Sequence, residues 1–201
     1  MTTRIAILDY GMGNLRTVEK ALEHVGVTAT IRAADGLILP GVGAFPKAMV
    51  GVRELGLDEL ILERRDAGVP ILGICLGLQL LFDSTTELGG ADGLGLLSGE
   101  VDVLDAPGLK IPHIGWAPVR WEKQSRLAEG IDSETPFYLV HSFAPQPESD
   151  DLLGTTAYGA RFACAAERDN VFGVQFHPEK SSAAGLRLLS NFAGICAAVP
   201  A

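Results

Sequence analysis

VPILGICLGLQLLFD, residues 69–83, passes from strand to helix within a few positions. Val69–Ile74 is a short apolar run, the composition of a strand buried on both faces. Leu76–Asp83 has the composition of a helix. Between them stands Gly73-Ile74-Cys75-Leu76-Gly77, a cysteine with a glycine two residues to either side. On a strand-to-helix turn this is the form of a nucleophile elbow, a sharp bend that lifts the side chain out of the sheet. The first amides of the following helix favour the thiolate, the reactive form of the thiol. The same pentapeptide also suits a small core cysteine, so the elbow alone does not settle the chemistry.

Upstream, Arg4–Leu8 is another apolar run and closes on Asp9-Tyr10-Gly11, a strand followed by a loop. Asn14 is placed to cap a helix to about Val25, with Leu15, Val18, Leu22 and Val25 on one face. Leu37–Leu39 stops at Pro40-Gly41-Val42-Gly43. A single helix with Leu55, Leu60 and Ile61 among its apolar positions is expected to follow, ending near Gly68. This alternation belongs to an α/β protein with an open, largely parallel sheet flanked by helices. Val27–Ile31 and Leu37–Leu39 are separated by only five residues. A parallel crossover takes about a dozen, so the second βα unit reads as shortened.

Downstream the pattern changes. Gly89–Gly99 is glycine-rich and reads as loop. Val101–Leu104, Val119–Trp121, Phe137–Phe143, the region around Phe162–Ala166 and Val171–Phe176 are strand-like, with short turns between them. They make an antiparallel extension of the sheet. Ala183–Ala198 closes the chain as an amphipathic helix.

The chain has 201 residues, and nothing in it resembles a linker, so residues 1–201 are expected to form one domain. A chain of that length buries about 70% of its unfolded surface and needs no staple. A 47% hydrophobic and 20% charged composition excludes a disordered chain. Asp and Glu outnumber Lys and Arg by 25 to 16, and a net charge of -9 disfavours a nucleic-acid partner. Cys75, Cys164 and Cys196 show no Cys-x-x-Cys spacing, against both a disulfide framework and a cysteine zinc site. Neither His113 nor His141 stands at ligand spacing from another histidine, so no metal and no cofactor are expected. The apolar start before Asp9 is too brief for a signal peptide, and no run approaches ~18 apolar residues. A cytoplasmic protein without a membrane partner is the expectation.

Two further segments bear on Cys75. In Gln175-Phe176-His177-Pro178-Glu179, a residue and its second neighbour share one side of an extended chain. Glu179 is thus placed to orient the imidazole of His177 while His177 faces a nucleophile from elsewhere. The alternative is a strand-ending histidine beside a solvated carboxylate. An elbow cysteine together with His-x-Glu is nonetheless the pairing that cysteine acyl transfer requires. In Leu39-Pro40-Gly41-Val42-Gly43, glycines on a strand-to-helix turn free backbone N–H groups to point at a ligand. Val42 or Gly43, with the N–H of Leu76, would make an oxyanion hole.

The motifs GICLGLQLLF (73–82), GVQFHPEKS (173–181) and LPGVGAF (39–45) resemble the triad-type class I glutamine amidotransferases. DYGMGNLRTV (9–18), PHIGW (112–116) and YLVHSF (138–143) are similar, within that family, to the glutaminase subunits of imidazole glycerol phosphate synthase in histidine biosynthesis. The resemblance spans nearly the whole chain and implies a flavodoxin-like core. It implies that Cys75 attacks the side-chain carboxamide of L-glutamine, that His177 carries the proton, and that Glu179 holds His177. It assigns Gln79 and Glu87 to the amino-acid end of the substrate, and His141 and Ser142 to the same pocket through backbone and side chain. It also implies a heterodimer in which ammonia passes through a tunnel to a (βα)8-barrel cyclase subunit, with Pro112–Trp116 toward that partner. A triad glutaminase serving anthranilate or GMP synthesis is the competing enzyme, and DYGMGNLRTV with PHIGW fits it less well. A redox-sensing module is the competing non-enzyme, and it has no need of an oriented base.

Overall fold

The computed structural model describes residues 3–12, 15–25 and 34–198. The Asn14 cap, the strand expected at 27–31, and with it the shortened unit, lie outside the described residues. The first half runs β1 (Ile5–Ile7), α1 (Leu15–Val25), β2 (Gly36–Gly41), α2 (Phe45–Glu54), α3 (Leu57–Asp66), β3 (Ile71–Cys75) and α4 (Leu76–Leu80). The second half runs β4 (Ser84–Thr85), β5 (Ala91–Asp92), β6 (Gly99–Val103), β7 (His113–Trp121), β8 (Thr135–His141), β9 (Phe143–Pro147), β10 (Leu152–Tyr158), β11 (Ala160–Arg168), β12 (Val171–Val174) and α5 (Ser182–Ala197).

Eight strands form one sheet in the order β1-β2-β3-β12-β11-β10-β7-β8. The pairs β1–β2, β2–β3 and β3–β12 are parallel, and the pairs beyond β12 are antiparallel. The expected architecture of parallel core and antiparallel extension is therefore present. The last strand in sequence, β12, sits at the seam between the two halves. That position carries the end of β12 alongside the end of β3, which places the His-Pro-Glu segment next to the elbow. A second sheet, β5-β4-β6-β9, packs beside the first and frames the far side of the site.

The parallel strands are apolar on both faces because both are covered. Ile38, Leu72, Ile74 and Val174 face one core with α1 and α5, where Val18, Leu22, Leu188 and Phe192 are buried. Leu37, Leu39 and Ile71 face the opposite core with Phe45, Met49, Val52, Ile61 and Leu78 from α2, α3 and α4. Alternate residues of one run thus feed two cores, which explains the lack of polar alternation in the sequence.

Several local expectations are corrected. The helix expected between Gly43 and Gly68 is two helices, α2 and α3. Gly56 lies between them at φ 64, a left-handed conformation that stops one helix and redirects the chain. Leu55, expected on the apolar face, is 60% exposed at that break. The helix after Cys75 ends at Leu80 rather than Asp83. Phe137–Phe143 is not one strand: β8 pairs with β7 and β9 pairs with β6, so Ser142 marks a change of sheet. The Gly89–Gly99 loop carries the short strand β5. Strands β4 and β10 have no counterpart among the strand-like runs expected from the sequence. No helix among the described residues is long and apolar enough to cross a membrane.

Candidate functional site

Cys75 ends β3 and begins the turn into α4 at φ 55, ψ -111, an unusual conformation for a residue with a side chain. Two glycines make the bend feasible. A Cβ on Gly77 would overlap the Leu39 carbonyl oxygen, and one on Gly73 would lie 2.6 Å from the Gly77 carbonyl oxygen. The helix therefore sits directly on the adjacent strand with Cys75 at the apex. With only five residues, α4 contributes through the free amides of its first turn rather than through a long dipole.

His177 follows β12, and its backbone N–H donates to the Tyr138 carbonyl at 2.8 Å. The Ser181 hydroxyl donates to the His177 carbonyl at 2.6 Å and accepts from Tyr138 N–H at 3.0 Å. These contacts fasten the His-Pro-Glu turn to β8. The imidazole Nδ1–H donates to Glu179 Oε1 at 2.8 Å, and both side chains are only 3% exposed. Nδ1 thus carries the proton, and Nε2 has no hydrogen-bond partner. Burial opposes a charge on this ring, but the neighbouring Cys75 and Glu179 outweigh it, and the pKa is pushed up to about 9. Cys75 acts here by proximity, since its sulfur does not close a hydrogen bond with Nε2.

The sulfur opens on a cavity of about 270 Å³ lined by Val42, Gly43, Leu76, Gln79, Glu87 and His141 among others. Pro112, Ser142 and Phe143 complete its wall toward β7 and β9. Every residue expected to bind substrate or to form the oxyanion hole therefore lines one cavity with Cys75, while His177 and Glu179 stand behind it. A groove of similar size, about 280 Å³, lies between β6, β9 and β11 but contains no cysteine or histidine.

Within the cavity the donors and acceptors are partly committed. Gln79 Nε2 donates to the Phe143 carbonyl and to Gln175 Oε1, each at 3.0 Å. Its Oε1 is left as an acceptor, suited to an ammonium group. Glu87 Oε2 accepts from the Phe45 N–H at 2.7 Å, so this carboxylate anchors the start of α2 while its other oxygen remains. His141 is the clearest revision. Its Nδ1–H donates to the Phe143 carbonyl at 2.8 Å, and Nε2 accepts from His113 Nδ1 at 3.3 Å. Burial outweighs the Phe143 contact and pushes its pKa down to about 4, so the ring is neutral. Both ring nitrogens serve the protein, and only the backbone of His141 is left for a ligand. His113 in turn stacks on Tyr158 with ring centroids 4.1 Å apart and belongs to the same buried pair.

Two residues near Cys75 have no part in the sequence expectations. Tyr10 donates its hydroxyl to the Pro40 carbonyl, just before the glycine turn, and Gly41 leaves space for that hydroxyl. Gln175 is fully buried, with Nε2 3.7 Å from Cys75 Sγ. The sequence signal for Gln175 is its place in the same motif, two residues before His177. Cys164 and Cys196 are buried and unpaired. Burial pushes the Cys196 thiol up to about 12 and the Cys164 thiol higher still, which marks both as inert. Among the described residues no group of three or more His, Cys, Asp or Glu is placed to hold a metal.

The family model for glutamine amidotransferase class-I matches residues 6–195. A protein of Moorella thermoacetica named imidazole glycerol phosphate synthase subunit HisH is 53% identical over 196 residues, covering 94% of this chain and 93% of that one. The Aquifex aeolicus protein of the same name is 48% identical over 198 residues, covering 94% and 95%. Among solved structures, a putative GMP synthase protein from Thermoplasma acidophilum aligns with a TM-score of 0.74 at 21% identity, covering 98% of this chain and 95% of that one. PurLQS from Thermotoga maritima aligns at 0.74 with 18% identity, covering 97% and 99%. At those identities the two structures speak for the fold.

Proposed function

The chain belongs to the class I glutamine amidotransferases, and from that premise we propose that it is the glutaminase subunit of imidazole glycerol phosphate synthase, with Cys75, His177 and Glu179 as its triad. It hydrolyses L-glutamine to glutamate and ammonia. The identity of about half to the Moorella and Aquifex subunits, over nearly all of each chain, supports the choice of branch. The observation that carries the chemistry is the buried His177–Glu179 hydrogen bond behind a cysteine held at the apex of an elbow.

In this reading Cys75 Sγ attacks the γ-carboxamide carbon. The developing oxyanion is met by the N–H of Leu76 and by one from Val42 or Gly43. His177 Nε2 holds the proton taken from the thiol and delivers it to the departing ammonia. Glu179 keeps Nδ1 protonated and balances the imidazolium. Water then hydrolyses the γ-glutamyl thioester, with His177 as base. The α-ammonium lies between Glu87 and the free Oε1 of Gln79, and the backbone of His141-Ser142 meets the same end of the substrate.

Ammonia is passed to a cyclase subunit in a cytoplasmic heterodimer. Ile114 and Trp116, 59% and 52% exposed on β7, and Ile111, 38% exposed, offer that partner an apolar face beside the cavity wall at Pro112. The test is glutamate release by the native chain and by Cys75→Ala, each alone and with the cyclase and its ligand. Release that requires Cys75 and rises with the cyclase supports the proposal. Release by the variant at the native rate overturns the triad, and indifference to the cyclase overturns the partner.

A further inference from the structure

The cysteine sulfur has two polar neighbours besides His177: the Val140 carbonyl, to which the thiol donates at 4.0 Å, and the side chain of Gln175. Gln175 follows the last residue of β12 at a bend in the chain, where its backbone N–H donates to the Cys164 carbonyl at 2.8 Å. Its side chain is fully buried and reaches Cys75 Sγ with Nε2 at 3.7 Å, an ordinary length for an N–H···S hydrogen bond.

The orientation of that amide follows from its surroundings. The Phe143 carbonyl only accepts hydrogen bonds, so the Gln79 atom 3.0 Å from it is the amide nitrogen. That nitrogen is also 3.0 Å from the Gln175 side chain, so the Gln175 atom facing it is the oxygen. The Gln175 nitrogen is then left to face the sulfur. Reversing Gln175 would bring two NH2 groups together in a site closed to water, and reversing Gln79 would place its oxygen against a carbonyl. A backbone carbonyl thus fixes, through two amides, a donor on Cys75.

We propose that Gln175 is a further catalytic residue, whose side-chain N–H donates to the Cys75 sulfur and stabilises the negative charge the sulfur carries before attack and again when it leaves the thioester. Gln79 is the positioning residue for this donor, in addition to its part in substrate binding. The inference rests on Cys75 being the nucleophile. The titratable groups around the sulfur are His177 with Glu179 behind it, Tyr10 beyond β1, His141 on β8, and Glu87 across the cavity.

The test is the rate of alkylation of Cys75 by iodoacetamide across a pH series in the full chain, located by peptide mass spectrometry. Gln175→Met keeps the approximate shape and removes the donor. Gln175→Leu also removes the donor and likewise brings no charge into the core. At neutral pH, alkylation of Gln175→Met falls about tenfold, the lower end for a hydrogen bond to a charged group, and the native rate returns at high pH. Gln175→Leu falls by a similar factor, and it keeps the measurement available should Gln175→Met not fold. A pH profile superimposable on the native one in a folded variant overturns the role of Gln175. Glutaminase activity that survives complete alkylation of native Cys75 overturns instead the assignment of the nucleophile.

Discussion

Replacing Glu179 with Gln isolates the charge of the third member of the proposed triad. The carboxylate is 2.8 Å from His177 Nδ1, and the two side chains are 3% exposed, so solvent screens the pair weakly. An amide oxygen still accepts the Nδ1–H, and the change removes charge more than shape. Two unit charges about 4 Å apart in a protein of effective dielectric near 20 interact by about 4 kcal/mol. Some of this is regained by the retained hydrogen bond, so the imidazolium loses about 2–4 kcal/mol of support. That corresponds to a kcat reduced about 30- to 1000-fold, with the Michaelis constant for glutamine little changed. The same substitution alters the pH dependence of stability. The His177 pKa is raised from 6.5 to about 9, through Cys75 and Glu179 acting against burial. Its contribution is therefore full below pH 6.5 and is lost as the pH rises through about 9. Glu179→Gln lowers the folded-state pKa, so the variant loses less stability over that window than the native chain. Glutamate release gives the kinetic comparison, and urea unfolding across the same pH series gives the second. A native kcat in Glu179→Gln removes Glu179 from the catalytic machinery. Parallel stability curves remove it as the source of the His177 shift.

On the proposed function, Cys75→Ala abolishes glutamine hydrolysis but leaves ammonia-driven synthesis by the assembled complex intact, since the proposed nucleophile acts only on glutamine; equal loss of both in a correctly assembled complex refutes that division of labour. Glu87→Ala weakens glutamine binding by about ten- to a hundredfold, the worth of a charge-assisted hydrogen bond. Because Glu87 also accepts from Phe45 N–H, it costs about 1 kcal/mol of stability as well. Cys75 alkylation stays near normal, and an unchanged Michaelis constant returns Glu87 to a purely structural part. Gly77→Ala forces a methyl group into the Leu39 carbonyl oxygen and destabilises the chain by about 3 kcal/mol in urea unfolding, whereas a native midpoint shows that α4 does not pack as described.

The first half of the fold was legible because its signals are local. Apolar runs such as Leu37–Leu39 and Val69–Ile74 end in glycine turns, and each run is long enough to mark a strand. The break at Gly56 was not read, since an isolated glycine inside an apolar helical pattern does not announce its φ. The second half resisted for a different reason. The strands β4 and β5 have two residues each and exist only through their pairing with one another and with β6. The division of Phe137–Phe143 at Ser142 is likewise decided by which sheet each side joins, a partner choice that no window of sequence contains.

At the site, the elbow and His-x-Glu were legible as separate motifs, and the sheet supplies what joins them. Strand β12 pairs with β3 from Val171–Ile71 to Val174–Ile74, so Gln175 and Cys75 leave the ladder side by side although a hundred residues separate them. The extended-chain reason given for Glu179 is corrected by the structure, because Glu179 meets His177 across the 3-10 turn Pro178–Lys180 rather than along a strand. What sequence could not supply was the register, and only the register turns a glutamine near a histidine into a donor on the sulfur. The histidines show the converse. His141 had the residue type and the motif of a substrate contact, but the Phe143 carbonyl and His113 occupy its two nitrogens. A side chain's chemistry belongs to its free atoms, and which atoms are free is decided by packing.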